Sequence, residues 1–319
     1  MKKGFIIAAV VLVAVGLAVF AGAFVASGFD FSKIGSDSYV TNTYTVDKEF
    51  DRIDIDTNVT DIVFKPSEDG KFSAVCSEER DKVHHKVTVE DGTLKITIND
   101  DREWFEYISF LSKSMTMTLY LPGERYESLK IDASTGDVSI PSSFSFGSID
   151  IKMSTGDVLC SASSEGPLKI KASTGDITLN GAGAGDAELS VSTGKILVES
   201  FECGGNMSVK VSTGKATLSD VTCREFISEG STGSLTLKNV VASGKINVKR
   251  STGDVKFDSS DAAEIAVKTS TGDVTGTLKS EMIFFADTRT GDVDVPRTTT
   301  GGKCEISTTT GDIEIKIVK

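Results

Sequence analysis

Apolar and polar residues alternate along the chain from residue 126 onward, and the pattern returns every 19 or 20 residues around a Thr-Gly pair. Around Gly136, apolar residues lie seven and five positions before the glycine (Leu129, Ile131) and two and four positions after it (Val138, Ile140). Period-two alternation is typical of a strand with one buried face, so each unit predicts two short strands joined at a Thr-Gly corner. The corner glycines are Gly136, Gly156, Gly175, Gly194, Gly214, Gly233, Gly253, Gly272, Gly291 and Gly311.

Two architectures could use this repeat. In a parallel β-solenoid each unit forms one coil, and equivalent positions stack about 4.8 Å apart. In the alternative, each unit is an antiparallel hairpin that turns at Thr-Gly. The near-constant period and the constant size class of each buried position favour the solenoid. We therefore predict an all-β fold whose residues 126–319 form a parallel β-solenoid of about ten coils.

Residues 40–125 are predicted to be a degenerate β region that extends and caps the solenoid. Within it, Ile53, Ile55 and Ile62 fall on the buried positions of the unit, and Asp61 falls on the position that follows the corner glycine. This match places residues 53–64 in the same register as the later coils.

Two further segments of this region have simple interpretations. Gly92 lies between two alternating runs and predicts a hairpin, and residues 115–121 alternate as another strand.

The aromatic residues between the hairpin and residues 115–121 break the pattern and are interpreted as a cap over the open end of the solenoid. The alternative is an exposed patch that contacts a partner or a membrane. These residues are Trp104, Phe105, Tyr107 and Phe110.

The N-terminus predicts export. Two lysines precede an uncharged, mostly apolar run over residues 4–28, which is long enough to span a bilayer as a helix. We expect residues 1–28 to be a transmembrane anchor that contacts the membrane through residues 5–27, followed by a linker over residues 29–39. The domain after it would then be extracellular. The alternative is a cleaved signal peptide and a secreted domain, for which Ala21–Ala23 offers a cleavage site.

The charge balance restricts the partners. The chain has 34 Lys and Arg against 46 Asp and Glu, a formal net charge of −12, and its basic residues do not cluster. Nucleic acid is therefore not expected as a partner, whereas cationic ligands are tolerated.

The Ser-Thr-Gly-Asp-Val and Ser-Thr-Gly-Asp-Ile array behind one apolar N-terminal segment resembles the bacterial putative-adhesin family of β-strand-repeat domains of unknown function. The resemblance covers residues 40–319 and implies a non-enzymatic binding scaffold or adhesin of the cell envelope. Its partners would be envelope proteins, glycans or cationic peptides. The resemblance also implies an alternative, a sensor of envelope stress caused by cationic antimicrobial peptides. The family has no catalytic residues to transfer. A carbohydrate-active β-helix enzyme is the alternative from another class, and it would need carboxylates that depart from the repeat.

An aspartate follows the corner glycine in seven units and would form a ladder along one edge. The structural interpretation is that each carboxylate bonds amides of its own turn. The alternative is weak calcium binding, because Ca²⁺ prefers several carboxylate oxygens. Lys195 and Lys215 occupy the same position and would oppose a cation. No other cofactor is expected. The seven residues are Asp137, Asp157, Asp176, Asp254, Asp273, Asp292 and Asp312.

The repeat suggests a role for each of four cysteines. Cys203 and Cys223 lie nine residues after the corner glycines of consecutive units, so their Cα atoms are expected within disulfide distance. They would form either a disulfide or two neighbouring thiols. Cys160 and Cys304 fall on buried positions and are interpreted as small core residues.

Four other residues stand out. The adjacent His84 and His85 lack an obvious partner and are interpreted as a solvated strand end. Arg250 falls on an inward position, from which its side chain either reaches solvent at the corner or marks a defect in the core. Gly276 replaces a core residue and predicts a local flaw or bend.

Overall fold

The structure of the chain is a computed structural model that describes residues 39–79, 82–100, 115–181 and 183–318. These residues contain strands, turns and bends, and they include no helix long and apolar enough to cross a membrane. The predicted N-terminal segment 1–28 and the predicted aromatic cap lie outside the described residues.

The described residues form 24 strands. In chain order these are β1 (Tyr39–Thr45), β2 (Arg52–Pro66), β3 (Ser73–Glu79), β4 (Val83–Glu90), β5 (Thr93–Asp100), β6 (Met115–Leu121), β7 (Arg125–Thr135), β8 (Val138–Ile140), β9 (Ser145–Thr155), β10 (Val158–Cys160), β11 (Ser163–Ser164), β12 (Leu168–Thr174), β13 (Ile177–Asn180), β14 (Gly183–Ala184), β15 (Ala187–Cys203), β16 (Asn206–Cys223), β17 (Glu225–Thr232), β18 (Leu235–Thr252), β19 (Val255–Lys268), β20 (Val274–Leu278), β21 (Met282–Thr290), β22 (Val293–Asp294), β23 (Gly302–Thr310) and β24 (Ile313–Ile317).

The repeat region is a parallel β-solenoid, as the period predicts. Equivalent residues of successive coils pair in parallel, for example Leu168 with Ile149 on one side and Ala187 on the other. The apolar positions face inward and form one continuous core. The ten Thr-Gly corners bound about nine full turns, so the estimate of about ten coils is close to the observed number.

The corner glycines are required for two reasons. All ten have φ between +128° and +146°, a region that other residues rarely adopt. The coils also approach each other closely at this point, because a Cβ atom on Gly156 would lie 1.8 Å from the carbonyl oxygen of Gly136. The glycine therefore both turns the chain and lets successive coils stack.

A second corner follows six residues after the first. The residue there has φ between +51° and +65° in five consecutive coils and is Gly181, Ser200, Asp220, Asn239 or Ser259. Apart from glycine, these are short polar residues, two of which are the types that best tolerate the left-handed region. The next residue is apolar and buried in three of these coils, as Phe201, Val221 and Val240. The weak third segment of the repeat is thus a third side of the coil.

The first coil of the solenoid comes from the degenerate region. Ile53 of β2 pairs in parallel with Leu129 of β7, and Ile62 pairs with Val138 of β8. On its other side, Ile53 pairs with Leu94 of β5. The coil built by β5 and β6 is therefore further out than β2, although it follows β2 in the chain. The predicted register of residues 53–64 is confirmed.

Antiparallel strands cover this outermost coil. β4 pairs with β5 through the turn at Asp91 and Gly92, which confirms the predicted hairpin, and β3 pairs with β6. The covering strands satisfy backbone groups that an open coil edge would expose to water.

At the C-terminal end of the solenoid, too, the order of the coils in space differs from their order in the chain. Val274 of β20 pairs with Ile313 of β24, and Ile313 pairs in turn with Val293 of β22. The last coil of the chain is therefore inserted between the two coils that precede it. The outermost strands, β21 and β22, find ladder partners on one side only among the described residues. The final coil has hydrogen-bonding neighbours on both edges, which protects the chain end from fraying.

Gly276 lies at a local flaw in the ladder, one of the two outcomes predicted for it. It pairs with Phe257 and has a φ of +128°, and a Cβ atom there would lie 1.8 Å from the carbonyl oxygen of Phe257. The register between β19 and β20 shifts between Phe257 and Ser260. The missing side chain thus permits a close approach at an irregular point of the ladder.

Candidate functional site

The aspartates after the corner glycines join neighbouring coils. The Asp157 amide donates to Asp137 Oδ1 at 2.8 Å, and Asp157 Oδ1 accepts from the Asp176 amide at 2.7 Å. The same contact recurs at both ends of the ladder at 2.8–3.1 Å. We expected each carboxylate to accept from amides of its own turn. This expectation is wrong, because the donor is an amide of the neighbouring coil. The carboxylate reaches the next coil because the corner amide of that coil points along the stacking direction.

The ladder does not gather carboxylates around one point. Successive aspartates lie one coil apart, and they are not among the described groups that place three metal-binding atoms within 4.8 Å of one another. Lys195 Nζ lies 3.5 Å from Asp176 Oδ2, so an ammonium group neutralises one carboxylate of the ladder. Calcium binding at the seven aspartates stays a prediction.

The five cysteines are buried free thiols. The carbonyl oxygens of Gly185 and Asn206 lie 3.5 and 3.4 Å from Cys203 Sγ, and either can accept the proton of its thiol. Burial, together with the nearby Cys203, raises the pKa of the Cys223 thiol to about 12. The two side chains are neighbours, as the repeat predicts, but no bond joins them in the structure. Cys160 and Cys304 lie in the core.

A buried polar cluster lies in the degenerate region. The Glu78 side chain is fully buried, and its carboxylate accepts hydrogen bonds from Asn42 Nδ2 and from the Tyr44 hydroxyl at 2.7 Å. It also accepts from the His85 backbone amide at 2.7 Å and from His85 Nδ1 at 2.8 Å. The interpretation of His85 as solvated and without a partner is wrong. The His84 side chain is 51% exposed, as expected, but its Nδ1 lies 3.7 Å from Glu78 Oε2.

The protonation states follow from these contacts. Burial acts to raise the pKa of Glu78, but the hydrogen bonds from His85, Asn42 and Tyr44 outweigh it and hold that pKa below its usual value. Burial lowers the pKa of His85 despite the neighbouring carboxylate. At neutral pH the cluster is thus a carboxylate held by neutral donors. The alternation along β3 and β4 places Glu78 and His85 on inward positions, and this was the sequence signal that could have revealed the cluster.

The same cluster could hold a metal ion. Cys76, Glu78 and His85 each offer a ligand atom within 4.8 Å of the others, and zinc accepts all three ligand types. The Glu78 oxygens are already occupied by donors. Burial, with the Glu78 charge, raises the pKa of the Cys76 thiol to about 12, so without a metal the thiol keeps its proton. The hydrogen bonds of Glu78 join β1, β3 and β4.

Arg250 does not reach solvent at the corner. It is 5% exposed and lies on the inner side of β18, where Nη2 donates to Ser228 Oγ at 2.7 Å. Gly230 faces it on the adjacent coil. Arg250 therefore interrupts the apolar core, which is the second of the two alternatives that the sequence left open.

A surface depression in the degenerate region is lined by carboxylates that do not belong to the repeat, the feature that a carbohydrate-active enzyme would need. Its volume is about 670 Å³, and Asp47, Glu49 and Asp69 line it. The Ser67 hydroxyl and the Lys71 amide donate to Asp69 and lower its pKa, so this carboxylate closes its own turn. A general acid needs a raised pKa. The described carboxyl groups with a shifted pKa are all shifted downward, namely Asp69, Glu78, Glu90, Glu188 and Glu305.

Known proteins share this architecture. The model of the Toastrack DUF4097 family matches residues 50–207 and 203–319. A crystal structure of a putative adhesin from Parabacteroides distasonis has a TM-score of 0.51 at 12% identity, covering 89% of this chain and 99% of that one. A putative adhesin from Parabacteroides merdae has a TM-score of 0.47 at 12% identity, with 88% and 98% covered. One from Bacteroides fragilis has a TM-score of 0.42 at 16% identity, with 89% and 100% covered. No curated protein matches the chain.

Proposed function

The chain belongs to the Toastrack DUF4097 family, and on that premise we propose that it is a non-enzymatic binding scaffold or adhesin of the cell envelope. The observation that carries the proposal is the role of the ladder carboxylates: six of the seven accept a hydrogen bond from an amide of the neighbouring coil. This use in stacking leaves extended polar faces as the surface available for binding. Solenoids of this kind present long surfaces for binding.

A binding assay tests this role. The full chain, purified in non-ionic detergent, is immobilised and exposed to envelope fractions that are intact, protease-treated or periodate-treated. Loss of binding after one treatment identifies a protein or a glycan as the partner. Release of reducing ends from envelope polysaccharides by the same preparation would refute the non-enzymatic role and favour the carbohydrate-active alternative.

We further propose that the apolar run over residues 4–28 anchors the domain on the outer side of the membrane. Its length and the two preceding lysines support this orientation. Protease added to intact cells should remove a C-terminal tag, and the mass of the mature protein should retain residues 1–28. A mass that lacks this segment would show the cleaved, secreted form instead.

A second role, sensing of cationic antimicrobial peptides, is supported by the net charge of −12. A cationic peptide should bind the full chain more tightly than its neutral analogue, and added salt should reduce the difference. Equal affinity for both peptides would exclude charge recognition.

Weak calcium binding at the aspartate ladder is also proposed, because seven of the ten positions after the corner glycines are aspartates and Ca²⁺ prefers carboxylate oxygens. A rise in melting temperature at millimolar Ca²⁺ is the expected result. The absence of any rise would refute it.

A further inference from the structure

Three side chains of different chemistry meet in the strands that cover the outermost coil. Cys76 and Glu78 lie two residues apart on β3, so they face the same side of that strand, and His85 comes from β4. All three residues are buried. A thiol sulfur, a carboxylate oxygen and an imidazole nitrogen lie within 4.8 Å of one another. The spacing lets one ion contact all three.

The Glu78 carboxylate is buried without a full positive charge from the described residues. Its hydrogen-bond donors are Asn42, Tyr44 and the amide and ring of His85. Its ion-pair contacts with described residues come from His84 and His85, and histidine is mostly neutral at neutral pH. Buried charges ordinarily either pair with an opposite charge or coordinate a metal. Within the described residues, the cluster therefore lacks a cation.

The His85 ring is also incompletely bonded. A carboxylate can only accept, so the ring proton lies on Nδ1, which is 2.8 Å from Glu78 Oε1, and Nε2 keeps a bare lone pair. Nε2 is buried and has no hydrogen-bond partner among the described residues. Neutral imidazole binds metals through either nitrogen, so the proton can move to Nε2 and leave Nδ1 to an ion. The ring can thus act as a ligand without changing its charge.

The structure assigns a zinc-binding site to Cys76 Sγ, Glu78 Oε1 and His85 Nδ1, with water as the fourth ligand. Zinc accepts sulfur, nitrogen and carboxylate oxygen, whereas Ca²⁺ and Mg²⁺ prefer oxygen. Two ligands at about 2.0 Å in a tetrahedral site lie about 3.3 Å apart, so the 2.8 Å between Nδ1 and Oε1 must open by about 0.5 Å. The ion replaces the proton that joins these two atoms, and the hydrogen bonds from Asn42, Tyr44 and the His85 amide remain.

Charges and protons balance when the ion binds. Zinc brings two positive charges, Cys76 releases one proton to solvent, and His85 keeps its proton on Nε2. The ion then contacts a thiolate, a carboxylate and a neutral imidazole, so the buried site has no net charge and avoids the cost of a lone buried ion. Because its ligands come from β3 and β4, the ion joins the two strands that cover the end of the solenoid. The inference goes beyond the proposed binding role and does not depend on it.

Titration of the metal-free, reduced full chain in non-ionic detergent tests the site with Zn²⁺ and Co²⁺. Zinc should bind tightly at one site per chain and release about one proton, and bound Co²⁺ should show the intense absorption of a thiolate ligand. Cys76→Ala, Glu78→Gln and His85→Gln should each weaken zinc binding about 100-fold or more. The matched controls are Cys304→Ala, a buried thiol elsewhere in the core, and His84→Gln, the adjacent exposed imidazole. Each control should change the affinity less than about 3-fold.

X-ray absorption at the zinc edge identifies the ligands without any variant, so it still decides the question if a ligand variant fails to fold. It should show one sulfur at about 2.3 Å and nitrogen or oxygen at about 2.0–2.2 Å. The absence of tight zinc binding, or a ligand shell without sulfur, would overturn the site. So would equal weakening by His84→Gln and His85→Gln. Displacement of zinc by excess Ca²⁺ would overturn it too, because it would place the ion on the aspartate ladder.

Discussion

Replacement of one corner glycine by alanine tests why the repeat keeps glycine. Gly175 has a φ of +134°, and a Cβ atom there would lie 2.0 Å from the carbonyl oxygen of Gly156. Gly181, in the second corner of the same coil, has a φ of +65° and no atom within 4 Å of such a Cβ. The two positions share a positive φ and differ in the closeness of the neighbouring coil.

The magnitudes follow from these two contacts. At Gly181 the left-handed conformation alone should cost about 1 kcal/mol. At Gly175 the backbone strain is about 1–3 kcal/mol. The contact must also open by more than about 1 Å to reach an ordinary van der Waals distance. That displacement loosens the ladder bonds of the corner, from the Gly156 amide to Thr174 and from the Gly175 amide to Thr193. Each such bond contributes about 1 kcal/mol, so we expect about 3–5 kcal/mol in total for Gly175→Ala.

Equilibrium unfolding in urea, followed by circular dichroism, compares the two variants with the unchanged chain. Hydrogen exchange of the amides in β12 and β15 shows whether the loss is local to the corner. If Gly175→Ala lowers the free energy of unfolding no more than Gly181→Ala does, close stacking is not the reason for glycine, and the reasoning fails.

Three other predictions use the same unfolding assay or simple chemistry. Asp157→Ala should lower the urea midpoint more than Asp157→Asn, because asparagine keeps an acceptor oxygen for the amide of the next coil; equal midpoints would contradict the inter-coil bond. Burial lowers the pKa of His85 in the folded state, so the unfolded state binds the proton first and stability falls as the pH drops below about 6.5. His85→Gln should flatten this fall, whereas His84→Gln should preserve it. Cys203 and Cys223 should resist alkylation in the folded chain and react after unfolding; a denatured chain that lacks two thiols would instead show the disulfide.

Much of the fold was predictable because the repeat is regular. The buried positions, the Thr-Gly corner and the parallel stacking all follow from the alternation and its period, and even Ile53 and Ile62 were placed in register. The second corner was harder to find, since Ser200, Asp220 and Asn239 share a conformation rather than an identity.

The candidate sites were less predictable, because they depend on departures from the repeat. Arg250 drew attention in the sequence, but Ser228 and Gly230 gained meaning only when the register placed them on the adjacent coil. His85 looked solvated because its partner Glu78 lies on another strand, seven residues earlier. Such pairs require knowledge of which strands are neighbours.

By itself, the sequence determined the length of the coil, its inward residues and its Thr-Gly corner, since these follow from local periodicity and from the steric freedom of glycine. Only the tertiary structure decided which coil lies beside which. Equivalent units offer equivalent surfaces, so periodicity cannot show which coils are neighbours. It does not reveal that the coil of Gly311 is inserted between those of Gly272 and Gly291. Nor does it reveal that the coil of β5 and β6 stacks on the outer side of β2. That order is set by non-local pairing at the ends, where the coils that come first and last in the chain, those of β2 and β24, gain hydrogen-bonding neighbours on both edges.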